Sequence, residues 1–170
     1  MAAARALVLT LVVTLAVVLQ VAMFPVISYD GVVPNLALLV VVAAALVRGP
    51  QFAAVIGFIS GLAIDLAPPT DHIAGRWALA LVLVGYLAGR VRHDAHTSAL
   101  AAVVTVAASS FVGTSIFALS GMVLSDPAVP AAEALSVIPT AVVYDVLLTP
   151  FVLPLMMRLF RRLEPHQVAY

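Results

Sequence analysis

Apolar residues fill this chain in long runs, and the polar residues that interrupt them sit at short, turn-forming breaks. The runs cover about 6–26, 33–47, 51–67, 73–89, 97–124 and 132–160. Spanning a bilayer as a helix takes roughly twenty apolar residues, so the pattern predicts six membrane helices. The breaks carry their own chemistry. Pro25 and Ser28-Tyr29-Asp30-Gly31 close the first run, Arg48-Gly49-Pro50 makes a tight corner after the second, and Pro68-Pro69 stops the third. Pro34 fits the first turn of the second helix, where its missing N–H costs nothing. If that helix starts one residue later, Asn35 is available as its N-cap. The second and fourth runs are short for a full span at ~1.5 Å per residue, so they are expected to sit in a thinned region or to pack against other helices.

Composition sharpens this picture. Of 170 residues, 64% are hydrophobic and 9% charged, far from the balance of a soluble domain. The short connections leave no room for a soluble domain, so residues 1–170 are expected to form a single transmembrane domain, an all-α bundle in lipid. The run after Arg5 could pass for a signal peptide, but it is long enough to span and is expected to be retained. Cysteine is absent, which excludes disulfides, Fe–S clusters and thiol catalysis. The net charge is zero and there is no basic tail, so nucleic acid is not an expected partner.

The arginines set an orientation. With a cytoplasmic N-terminus, six spans place Arg5, Arg48, Arg90, Arg92, Arg158, Arg161 and Arg162 inside. Asp30, Asp71, Asp126 and Glu133 then fall outside, with Arg76 the one basic residue near that face. Both termini are therefore expected on the cytoplasmic side of the membrane.

Small residues at i, i+4 spacing let helix backbones approach closely. Gly57 and Gly61 form such a face on the third helix, Gly85 and Gly89 on the fourth, and Ala101, Thr105, Ser109 and Gly113 on the fifth, with Ser110 and Thr114 beside it. Packing inside the bundle is the first expectation for these faces; docking of a partner helix is the sharper one. Asp65, at the outer end of the third helix, and Arg76, at the outer start of the fourth, are expected to approach as an ion pair, because an isolated intramembrane charge is costly. Asp145 lies deep in the sixth helix. Pro150 removes the donor for the Val146 carbonyl, so the helix should bend or loosen there. No second buried acid, Lys or His stands at comparable depth, so a hydrogen bond from Asp145 to Ser109, Ser110 or Thr114 is expected rather than a proton pathway.

Other candidate chemistry is thin. His93, Asp94 and His96 lack a further ligand and stand beside Arg90 and Arg92, so no metal is expected. Ser60 in GFISG superficially resembles an intramembrane serine nucleophile, but no helix holds a histidine to activate it. No catalytic residue and no cofactor is expected. The arginines near the C-terminus serve as a positive-inside anchor to anionic lipid.

The order and spacing of Pro34-Asn35-Leu36, Gly57-Phe58, Gly61-Leu62, Asp65-Leu66, Gly75-x-x-Ala78-Leu79 and Gly85-Tyr86-Leu87-x-Gly89-Arg90 resemble the rod shape-determining MreD family over essentially the whole chain. The resemblance implies a non-enzymatic component of the bacterial elongation machinery. It would bind the bitopic protein MreC and help couple cytoplasmic MreB filaments, indirectly, to the RodA glycosyltransferase and its penicillin-binding transpeptidase. It also implies a fold similar to the substrate-binding subunit of energy-coupling-factor vitamin transporters. The family positions are Pro34, Asn35, Leu36, Gly57, Gly61, Asp65, Gly85 and Gly89; Asp145 inherits no role. The alternative function is that of a small-molecule binding subunit of a transporter. That would need a polar pocket, for which the outer loops offer Tyr29, Asp30, Asp71, His72 and Trp77.

Overall fold

A computed structural model describes residues 2–29, 31–68, 72–92, 98–125 and 131–163. Among them are six α-helices, α1 (Ala2–Ala22), α2 (Leu36–Arg48), α3 (Pro50–Asp65), α4 (Arg76–Arg90), α5 (Ala99–Val123) and α6 (Ala131–Arg162), plus a 3₁₀ turn at Phe24–Ile27. Asp30, Asp71, His93, Asp94, His96, Asp126 and His166 lie outside the described residues. Among the described residues, three helices contain segments long and apolar enough to cross a membrane: Ala3–Ala22, Ala99–Val123 and Ser136–Arg162.

The helix ends differ from the sequence reading where local chemistry decides. The first helix stops at Ala22, and Pro25 enters a 3₁₀ turn instead of closing the α-helix. Asn35 caps α2, its side-chain oxygen accepting from the Leu38 N–H at 2.9 Å. The fourth helix starts at Arg76 and not at Ile73, because Gly75 takes a left-handed conformation with φ of 99°, which glycine adopts without steric cost. Gly49, φ 89°, makes the α2–α3 corner with Pro50 in the first turn of α3. The last helix runs unbroken through Pro139, Pro150 and Pro154. Thr149 Oγ donates to the Asp145 carbonyl at 2.7 Å, one residue before the Val146 carbonyl that Pro150 leaves without its backbone donor.

The core is α2. Its sequence LALLVVVAAALVR presents no polar face before Arg48, the pattern of a helix buried all round. Every residue from Leu36 to Leu46 is buried, and all five other helices pack against it. At 13 residues it extends only about 20 Å, less than the ~30 Å hydrocarbon core. It resolves its shortness by being enclosed in protein.

The most extensive contact between two helices joins α3 to α4, and the glycines make it possible. A Cβ at Gly61 would lie 2.5 Å from the Ala78 Cα, and one at Gly85 would lie 2.6 Å from the Ala53 carbonyl oxygen. Gly57 faces the Leu81 backbone and Gly89 faces Pro50 in the same way. All four glycine faces are thus occupied by the neighbouring helix. Gly57→Leu or Gly61→Leu should force the helices apart against backbone atoms that cannot yield. The expected cost is about 3 kcal/mol, the upper end for overpacking, read as a lowered melting temperature and loss of a monodisperse peak in detergent. Val55→Leu, on the exposed side of α3, should leave both unchanged.

Candidate functional site

A helix that ends inside a membrane protein leaves its first backbone N–H groups without intrahelical partners, and lipid offers none. The two buried acids meet that need at two different helices.

Asp65 closes α3 and is 1% exposed. Its Oδ2 accepts from the N–H groups of Gly75 (2.9 Å) and Ala78 (3.0 Å), and its Oδ1 from that of Trp77 (3.1 Å). The His72 Nε2 lies 3.0 Å from the same Oδ1. A single carboxyl group therefore caps the amino end of α4 from the neighbouring helix, where the helix dipole also favours an acid.

The expected ion pair between Asp65 and Arg76 is not formed. Three backbone N–H groups and the His72 ring take up the carboxyl oxygens, and the Arg76 side chain points across to α5. Its Nη2 donates to the Phe117 carbonyl at 2.6 Å, its Nε approaches the same oxygen at 3.3 Å and Ser120 Oγ at 3.4 Å. The guanidinium carbon stands 3.9 Å over the Phe117 ring, a cation–π contact, and Trp77 stacks on the same ring at 4.5 Å. Gly121 makes room, since a Cβ there would collide with the guanidinium. Arg76 is thereby buried to 1% exposure. Phe117, Ser120 and Gly121 carry no distinguishing signal in the sequence, because each is an ordinary membrane-helix residue until the arginine is placed beside it.

Asp145 does the corresponding work for α2. Its Oδ1 accepts from the Asn35 N–H at 2.7 Å, across 110 positions of sequence, and its Oδ2 accepts from Ser110 Oγ–H at 2.7 Å. Gln20 of α1 completes the end, its side-chain oxygen accepting from the Ala37 N–H at 3.1 Å. Three helices, α1, α5 and α6, thus meet at the amino end of α2. Ser110 was among the partners anticipated for Asp145; the link to Asn35 was not. It brings the Pro34-Asn35-Leu36 positions, all buried, into one cluster with the acid. The sequence signal for this contact is a lone amide in an apolar run, Gln20.

The remaining candidates stay apart from both clusters. Ser60 is 1% exposed and its Oγ has no hydrogen-bond partner. Thr105 Oγ donates to the Ala101 carbonyl at 2.8 Å, and Gly113 packs against Val84 and Leu38. No group of three His, Asp or Glu able to hold a metal occurs among the described residues. The chemistry on display is that of acceptors holding backbone donors, with apolar surface outside: Leu7, Leu11 and Leu15 on α1, Val55 and Ile59 on α3, Leu147 and Leu155 on α6 are all exposed.

No curated protein and no solved structure matches the chain. A family model does, that of the rod shape-determining protein MreD, over residues 2–163. With nearly the whole chain covered, this all-helical membrane protein belongs to the MreD family.

Proposed function

We propose that this chain is a non-enzymatic membrane scaffold of the bacterial cell-elongation complex, which binds MreC and helps to direct lateral peptidoglycan synthesis. Family membership gives it a part in determining rod shape. The observation that carries the finer reading is the filled interior: α2 occupies the centre, buried from Leu36 to Leu46, where a vitamin-binding subunit would keep a polar pocket. What such a molecule offers is its outer surface. The glycine faces are spent on the α3–α4 contact, so MreC docks on outward apolar faces, with those of α1 and α3 the first to scan. RodA and a penicillin-binding transpeptidase join through this assembly, and MreB indirectly.

Six crossings with both termini cytoplasmic complete the proposal. In support, the α2–α3 corner packs on the end of α4, with Gly89 against Pro50 and the Arg92 side chain over Gly49. This gathers Arg48, Arg90 and Arg92 at one end of the bundle, as a positive-inside arrangement requires.

Depletion should turn rod-like cells round, and the protein should co-purify with MreC. Because the chain has no cysteine, single cysteines placed along α1 and α3 give a clean crosslinking scan. Depleted cells that stay rod-shaped, together with an empty MreC pull-down, would overturn the proposal.

A further inference from the structure

Two grooves flank the amino-terminal half of α5. One, against α4, has a volume of about 320 Å³ and is lined by apolar and small polar residues, with no charge among them. The other, against α6, has a volume of about 290 Å³ and differs in a decisive respect: Arg161 is part of its lining. Its walls are mostly apolar, with Ala102 and Val103 on α5 facing Pro150, Leu153 and Pro154 on α6. Positions 150, 154, 157 and 161 follow one helical stripe, so the arginine stands at the end of the groove and in line with it.

Arg161 is exposed, and no hydrogen bond or ion pair engages its guanidinium among the described residues. Arg158 and Arg162, also exposed, lie within a turn of it. The mouth is therefore positive and the trough apolar. An apolar partner helix would fill the trough but bring nothing to the arginine. A phospholipid with net negative charge answers both, since guanidinium binds phosphate through charge-assisted hydrogen bonds and an acyl chain has the shape and polarity of the trough.

We propose that the α5–α6 groove is a binding site for one anionic phospholipid, with an acyl chain between Ala102 and Pro154 and the headgroup phosphate on Arg161. This goes beyond the scaffold function and does not depend on it. The site would hold a lipid at the base of the last helix and keep α5 and α6 from closing on each other there.

The test uses the full chain purified in mild detergent with phosphatidylglycerol or phosphatidylcholine carrying a photoactivatable group on an acyl chain. Phosphatidylglycerol should label peptides containing Ala102–Val103 and Leu153–Met157. Arg161→Gln, at an exposed position, should lower that labelling about fivefold and leave phosphatidylcholine labelling unchanged, and Arg161→Lys should restore most of it. Ala102→Phe should abolish labelling of the groove while the far-ultraviolet spectrum stays that of the wild type. Labelling spread evenly to sites such as Leu11 and Leu119 would overturn the proposal. So would phosphatidylglycerol labelling unchanged in Arg161→Gln, or a groove protected by a co-purified protein helix instead of lipid.

Discussion

Asp65→Ala should leave little folded protein. The substitution removes the acceptor for three backbone N–H groups, those of Gly75, Trp77 and Ala78, in a place where the side chain is 1% exposed. Each buried donor left without a partner costs about 1–3 kcal/mol, so the total is at least about 3 kcal/mol, a large share of ordinary domain stability. The damage should spread. α4 could no longer be held at its start, and the Trp77–Phe117–Arg76 stack depends on that start. Trp77 is the chain's one tryptophan, so its emission reports the cluster directly and should shift to the red in whatever protein survives. Asp65→Asn keeps one of the two acceptor oxygens and should fall between. Wild-type melting and emission in Asp65→Ala would show that the cap is dispensable.

Asp145→Leu is the second large effect expected. By hydrophobicity alone it should stabilise, because it replaces an acid by an alkyl group deep in an apolar helix. The hydrogen bonds argue the opposite. Losing Asp145 leaves the Asn35 N–H and the Ser110 hydroxyl without their acceptor, both inside the bundle, at about 1–3 kcal/mol each. It also cuts the tie between α6 and the amino end of the central helix. The expected outcome is a fall of several degrees or more in melting temperature, with reduced abundance in cells.

These two residues also mark how far the sequence could be read. The helices were legible because apolar runs and Gly/Pro breaks are local signals. The Arg48-Gly49-Pro50 corner is legible in a handful of adjacent residues, and so is the Asn35 cap, although only as the alternative to a helix that starts at Pro34. The packing role of Gly57, Gly61, Gly85 and Gly89 followed from their spacing, although the spacing did not say that the two pairs face each other. The acids were visible as anomalies, and their partners were not. Charge complementarity favoured Arg76 for Asp65, whereas the structure satisfies the acid with backbone donors, which every residue carries and which leave no mark in a sequence. The bond from Asn35 to Asp145 joins positions 110 residues apart, beyond any local pattern. Helix length held a clue: a 13-residue helix in a membrane protein must end within the protein, and its amino end then requires an acceptor.

We infer that the buried acids hold backbone in place and do not carry protons or ions. Comparing thermal unfolding of the purified protein with Asp, Asn or Leu at position 145 tests it most directly. Asparagine retains an oxygen for the Asn35 N–H and an amide that can donate to Ser110, but it cannot ionise. Asp145→Asn should melt close to wild type and still support rod shape, while Asp145→Leu should be strongly destabilised. A leucine variant as stable as wild type, or an asparagine variant that folds normally yet fails to support rod shape, would contradict it.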